Sequence, residues 1–201
     1  MKNKISVIIP FYPIDEDKYV VLQKCVKSLP EHYETIIVWN RREGYAKAIN
    51  EGAKCATGTH LLIMNDDVEY LSGNLESLCH KDTVASPSYN GRTYEYLWGS
   101  CFCIPRIVWD KIGGMDERYT ISYFDDDSLI CDLFKNGFKF LAVPEVLFDH
   151  ARPGRTLDSM PDRNTFFEEN KKLFIEKWGN EPSVIYEFFN TFGRIPNKGE
   201  L

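Results

Sequence analysis

The sequence predicts an α/β chain whose first part is a parallel, right-handed alternation of strands and helices. Short apolar runs rich in β-branched residues fall at Ile5 to Ile9, Thr35 to Trp39 and His60 to Met64. They are too short for helices and read as buried strands. Between them, apolar side chains recur at helical spacing in two segments, and strands alternating with helices favour a parallel sheet. Each run also ends in polar residues, and ligands of such sheets sit beyond the carboxyl ends of the strands.

The first strand stops at Pro10 and Pro13, and Asp15 caps a helix in which Tyr19, Leu22, Cys25, Val26 and Leu29 share one face before Pro30. The second strand gives way to Asn40, Arg41 and Arg42, and a second helix comes next with Tyr45, Ala48, Ile49, Gly52, Ala53 and Ala56 on one side, closed by Gly58. The stretch from Val84 to Gly99, rich in Ser, Pro, Tyr, Asn and Gly, reads as a long covering loop, with a strand from Gly99 to Ile104 behind it. Pro105 opens a short helix through Ile112, and a further helix runs from Asp125 to Asn136, ended by Gly137. Phe138 to Val143 and Val146 to Phe148 read as paired short strands around Pro144, Arg152 to Met160 as a polar loop, and Pro161 to Trp178 as an amphipathic helix. The aromatic tail around Tyr186, Phe188, Phe189 and Phe192 is expected to pack back on its own core.

Composition narrows the function. A chain of 201 residues with 43% hydrophobic content suits one ordinary domain with one site. The formal charge of -6 argues against a broad nucleic-acid surface. No run approaches a membrane span or a signal-peptide core. The six cysteines form no Cys-x-x-Cys pair, so reduced thiols and a cytoplasmic location are expected. There is no Gly-x-Gly-x-x-Gly run, no Gly-Lys-Ser/Thr phosphate loop and no Gly-x-Ser-x-Gly elbow, which removes the main support for dinucleotide oxidoreductase, P-loop and serine-hydrolase chemistry.

What remains is carboxylate chemistry. Asn65-Asp66-Asp67 stands after the third strand, where adjacent carboxylates can bind a hard divalent cation and, through it, phosphate; Asn and Asp are also ordinary turn residues. Asp125-Asp126-Asp127 opens a helix, where capping explains one carboxylate more easily than three. Like charges so crowded are better tolerated beside a cation, a substrate or a transferable proton. His150 comes after the apolar Val146 to Phe148 and is placed to complete a metal site, although a single His is as readily structural. Trp98 offers a flat apolar face suited to a sugar, or simply to the core.

Several motifs in order resemble those of the family 2 glycosyltransferases. They are Ser6-Val-Ile-Ile-Pro-Phe-Tyr12, Gly44-Tyr-Ala-Lys-Ala-Ile-Asn-Glu-Gly52 with Ala56-Thr-Gly58, Leu62-Ile-Met-Asn-Asp-Asp67, Gly113-Gly-Met-Asp-Glu117, Phe124-Asp-Asp126 and His150. The likeness runs from Ile5 to His150, roughly three quarters of the chain. It implies the GT-A fold, a Rossmann-like α/β domain with a mixed, mainly parallel central sheet flanked by helices. In that frame residues 1–67 form the nucleotide-binding half, 84–150 the acceptor and catalytic half, and 161–201 a C-terminal helical segment.

By the same resemblance, Pro10 and Tyr12 border the nucleotide base, Asp66 meets the ribose or sugar, and Asp67 with His150 holds Mn²⁺ or Mg²⁺. Asp126 is then the general base, Asp125 a sugar contact, and Asp127 the reserve for either role. The implied reaction is a single displacement from a nucleotide diphosphate sugar, UDP-linked by preference, onto a glycan or other hydroxyl, with inversion. Two positions depart from the family pattern: Asn40 stands where an Asp reads the base, and Ser128 where a further acid is common. A sugar nucleotidyltransferase, a sugar-nucleotide binder without catalysis, and a modified nucleic-acid base as acceptor are the competing expectations.

Overall fold

A computed structural model describes residues 4–150, 155–197 and 199–201. Seven strands form one sheet: β1 (Ile5–Phe11), β2 (Glu34–Trp39), β3 (His60–Met64), β4 (Val68–Ser72), β5 (Thr83–Tyr89), β6 (Cys101–Pro105) and β7 (Lys139–His150), in the order β2-β1-β3-β6-β5-β7-β4. β1 is parallel to β2 and β3, β6 is antiparallel to β3 and β5, β7 is parallel to β5, and β4 is antiparallel to β7. Five strands therefore share one direction, opposed by β6 and β4. The mixed, mainly parallel sheet expected from the sequence is present.

Seven α-helices are described: α1 (Glu16–Ser28), α2 (Tyr45–Cys55), α3 (Arg106–Ile112), α4 (Asp125–Lys135), α5 (Arg155–Asp158), α6 (Arg163–Trp178) and α7 (Pro182–Phe192). The alternation of side chains along β1 and β3 sends Val7, Ile9, Leu62 and Met64 toward Cys25 of α1 and Leu29 just after it. It sends Ile8, Leu61 and Ile63 toward Ile49 and Ala53 of α2. Both faces of these strands are thus covered, which is why they read as unbroken apolar runs. A Cβ at Gly52 would lie 2.4 Å from Ile8 Cγ2, so glycine there lets α2 sit down on the sheet.

Three expectations are corrected, and one strand is added. Residues 83–89 are strand β5 and not part of a long loop; the covering segment shrinks to residues 90–100. The Ser and Pro content hid the strand because Ser86 and Ser88 are buried inside it and Pro87 stands at a register shift, where a missing N–H costs no ladder bond. The two short strands around Pro144 are one strand, β7, from which residues 144–146 bulge: Pro87 pairs with Val143, but Ser88 pairs with Leu147. β4 was not anticipated, and part of the loop expected at Arg152 to Met160 is the helical turn α5, residues 151–154 lying outside the description. The aromatic tail is helix α7; Tyr186 and Phe189 pack inward as expected, Phe189 stacked on Phe134 at 3.6 Å between ring centroids, whereas Phe192 at the helix end is 62% exposed.

Candidate active site

The polar ends of β1, β2 and β3 converge, as parallel topology requires. β3 delivers Asn65, Asp66 and Asp67, and β7 ends at His150, paired with Val68 across β4. That register puts Asp67 beside the imidazole: His150 Nε2 lies 3.0 Å from Asp67 Oδ1, and each side chain is 8% exposed.

A cavity opens in front of Asp67. Pro10, Tyr12, Asn40, Arg42, Asp66 and Asp67 line it, so every residue expected at the nucleotide reaches one space. Asp66 is also an ion-pair partner: Lys18 Nζ donates to its Oδ1 at 2.7 Å, with Lys18 1% and Asp66 6% exposed. Burial pushes the Asp66 carboxyl up to about 6, against the pull of the Lys18 ammonium. Asn40 accepts the Glu43 N–H at 3.1 Å, which rigidifies the turn after β2. Arg42 closes that side through an ion pair with Asp162, the residue before α6.

A second cavity adjoins the first and shares Tyr45, Asn65, Ser122 and Leu157 with it. Asp125, Asp126 and Asp127 line this second space together with Trp98 and His150. The three acids open α4 from an unusual backbone: Ile121, Tyr123 and Phe124 have φ of 62°, 76° and 64°, left-handed conformations that cost bulky residues energy and cluster at functional sites. Burial raises the Asp125 carboxyl first, the charge of Asp126 second, with backbone N–H groups at the helix start pulling the other way. Asp126 is raised by burial and then by Asp127, and accepts the Asp127 N–H at 3.0 Å. Asp127 is raised by burial and held by the Tyr186 hydroxyl, which donates to it.

Gly99 makes room for this arrangement, since a Cβ there would lie 2.3 Å from Asp126 Oδ2. Tyr45 donates to the Gly99 carbonyl at 3.0 Å, and burial beside Asp125 and Asp126 lifts its phenol well above the ordinary range. Trp98 is only 6% exposed and stacks on Tyr94 and Tyr89, edge-on to His150. Most of its ring is therefore turned to neighbouring aromatics, and Tyr94, half-buried, also lines the cavity.

Sequence reasoning assigns Asn65 no role of its own. Its Oδ1 is buried without a hydrogen-bond partner, at the wall between the cavities. The adjacent acids draw attention away from a neutral amide in the same motif. Tyr45 and Tyr186 read in the sequence only as helix-face and tail aromatics, because a hydroxyl's partner is not encoded in local spacing.

Among the described residues no group of three or more His, Cys, Asp or Glu side chains converges on one point. The Asp67–His150 pair still fits a divalent cation: it joins an oxygen and an imidazole nitrogen, is largely withdrawn from water, and sits where the cavities meet. Two protein ligands suit an ion that takes its other ligands from phosphate oxygens and water.

The model of the family described as "Glycosyl transferase family 2" matches residues 34–83. No curated protein matches the chain. Among solved structures, GalNAc-T7 with UDP, GalNAc and Mn²⁺ shares the fold at a TM-score of 0.63 and 15% identity, over 94% of this chain and 55% of that one. The catalytic domain of Drosophila beta1,4-galactosyltransferase 7 in complex with xylobiose gives 0.58 and 15%, over 77% and 73%. The mannosyltransferase PcManGT from Pyrobaculum calidifontis with GDP-Man and Mn²⁺ gives 0.58 and 15%, over 77% and 59%. The chain thus spans little more than half of the first and third of these. The stretch from β2 to the start of β5 thus matches the family 2 glycosyl transferase model, and the fold of the chain is the one these solved transferases share.

Proposed function

We propose that the protein moves a sugar from a nucleotide diphosphate donor to an acceptor hydroxyl with inversion, as one domain. Its donor half is residues 1–67, its catalytic half 84–150 and its C-terminal helical segment 161–201. The observation that carries the reading is the contact of Asp67 with His150 at the junction of two cavities, one behind the nucleotide-side residues and one behind the acids. The neighbouring complexes, one with UDP, GalNAc and Mn²⁺ and another with GDP-Man and Mn²⁺, support it.

In this reading the nucleotide lies in the first cavity, its base against Pro10 and Tyr12 near Asn40, with a uridine donor favoured. The free oxygen of Asp66 and the unpartnered Asn65 Oδ1 are placed for donor hydroxyls. Asp67 and His150 hold Mn²⁺ or Mg²⁺, which when bound supplies positive charge to the departing diphosphate. The acceptor enters the second cavity, where Asp126 takes the proton of the attacking hydroxyl and Asp125 fixes a sugar hydroxyl. Asp127, tethered by Tyr186, borders the acceptor. A base lifted toward neutrality by burial transfers protons efficiently at physiological pH. With one carboxylate as base and none as covalent nucleophile, attack opposite the leaving group inverts the anomeric centre.

The second cavity has Glu95 and the three aspartates in its wall and no Lys or Arg among its described lining residues, which favours a glycan over a nucleic-acid acceptor. Among the described residues no helix is long and apolar enough to cross a membrane, and a cytoplasmic location is part of the proposal.

The test is release of nucleoside diphosphate from a panel of UDP- and GDP-sugars with Mn²⁺. We expect slow release from one donor, abolished by chelator and reduced by at least on the order of 10²-fold in Asp67→Ala. Absence of metal-dependent binding by every member of the panel would overturn the proposal.

A further inference from the structure

The segment between α3 and α4 carries a debt of buried polar backbone that its own sequence does not settle. Residues 120–124 are neither helix nor strand, three of them hold left-handed φ values, and they lead straight into Asp125, Asp126 and Asp127. Asn170, in the middle of α6 and 2% exposed, meets this segment with both ends of its amide. Its Oδ1 accepts the Thr120 N–H at 3.2 Å. Its Nδ2 donates to the carbonyls of Thr120 and Ser122 at 2.8 Å each and of Tyr123 at 3.3 Å. A buried asparagine in the middle of a helix is costly unless its hydrogen bonds are made, and all of these go to one loop.

The rest of α6 reinforces the contact. Arg163, its first residue, donates to the Tyr123 hydroxyl. Near its end, Lys177 Nζ donates to Ser128 Oγ at 3.0 Å and to Asp132 Oδ2 at 2.9 Å, and Trp178 Nε1 donates to the same Ser128 Oγ at 3.1 Å. One helix therefore grips the loop before the acids and the helix turn after them.

We infer that Asn170 is a positioning residue for the reaction: by holding the strained 120–124 backbone it sets the direction in which Asp125 and Asp126 project into the acceptor cavity. The inference rests on the proposed function only in taking Asp126 as the base. Truncation to alanine at position 170 leaves the Ser122 and Tyr123 carbonyls and the Thr120 N–H to find other partners, the Thr120 carbonyl keeping the Ser122 N–H at 2.7 Å. Left-handed Ile121 and Phe124 then relax toward ordinary backbone, and the carboxylates swing with them. Displacements of about 1 Å at reacting groups cost on the order of 10²-fold in rate.

The experiment compares wild type with Asn170→Ala, Asp126→Asn and Arg106→Met. Arg106 donates to the carbonyls of Ala53, Ala56 and Gly58 at the far end of the sheet, so its loss removes a similar set of bonds away from both cavities. Turnover is read as nucleoside diphosphate release from UDP-glucose, UDP-galactose, UDP-GlcNAc and GDP-mannose, and donor binding by calorimetry with UDP and Mn²⁺. The carboxyl titrations of Asp125 to Asp127 are read by carbon-13 NMR, which needs no turnover.

For Asn170→Ala we expect kcat to fall on the order of 10²-fold with UDP affinity within about twofold. At least one carboxyl midpoint should drop by about one pH unit as water reaches the acids. Arg106→Met should lower Tm comparably and leave all three readouts in place. Unchanged turnover and midpoints in Asn170→Ala, or equal losses of turnover and UDP binding, would overturn the inference. If Asn170→Ala does not fold, Asn170→Ser keeps one donor and should show the same pattern at reduced size. Full activity in Asp126→Asn alongside collapse in Asn170→Ala would remove the base assignment and leave the clamp standing; the converse would do the opposite.

Discussion

Pro10, Asn40 and Asp67 stand at the ends of extended strands, whereas Asp125, Asp126 and Asp127 stand behind a left-handed stretch of backbone that another helix must hold. In the half proposed to bind the donor, the arrangement derives from topology: parallel strands stop at one edge, and the residues just past their ends face one cavity. Charge there is compensated, as Lys18 answers Asp66. In the catalytic half three acids are gathered at one helix start with raised carboxyls and no cation against them among the described residues. The comparison teaches that a binding surface can be obtained from regular structure at little cost, while a poised base requires backbone strain and unbalanced charge, both held by packing elsewhere.

The largest effect that would break this contrast is in the donor half. Lys18→Met strands the Asp66 carboxylate in the interior, and removing one member of a buried pair costs about 3–5 kcal/mol. Because burial then raises the Asp66 carboxyl further, stability is retained while the group is protonated and lost as pH rises, so denaturant melts should show a larger deficit at pH 8 than at pH 5. A deficit equal at both pH values would mean that Asp66 is not the group left behind.

Gly99→Ala sharpens the contrast from the catalytic side. The new Cβ falls on the Asp126 carboxylate, and we expect turnover to drop on the order of 10²-fold with UDP–Mn²⁺ binding kept. Loss of binding as well would show that the two cavities do not act separately.

The smallest effect tests whether the acids are a burden on the fold. Asp125 is 4% exposed and its carboxyl is raised by burial, so it favours the folded state below its unfolded pKa and opposes it as pH rises through the folded value. Asp125→Asn should therefore stabilise the protein by at least about 1 kcal/mol at pH 8, with the gain shrinking toward pH 4, while activity falls. A variant less stable than wild type at pH 8 would contradict that sign.

The same contrast explains what the sequence revealed. β1 and β3 were legible because strands buried on both faces are apolar throughout, β2 because its apolar run persists although it is the edge strand with Ile37 and Trp39 exposed, and the residues after all three needed only to be read off their ends. Asp67 and His150 could be paired in advance only through resemblance, because their contact depends on the β4–β7 register, and β4 itself gave no clear signal. Strand β5 was hidden by buried serines and a proline at a register shift. Tyr186 on Asp127 and Asn170 on the 120–124 loop were out of reach altogether: they join residues 59 and about 50 positions apart, and nothing in local spacing tells an asparagine that satisfies a distant loop from one that faces water.

The antiparallel step from Val68 to His150 has one more consequence. The two residues best suited to hold a cation are 83 positions apart in the chain, yet Asp67 stands in the short turn directly before β4 and His150 at the end of β7, so the pairing of these two strands brings them together. The connections between them, residues 90–100 and 113–124, border the acceptor cavity and can lengthen, shorten or change character while the two posts stay where the ladder puts them. Under the proposed function, such a design lets acceptor choice diversify under a constant donor grip and makes those two connections the natural targets for redirecting the protein to a new acceptor.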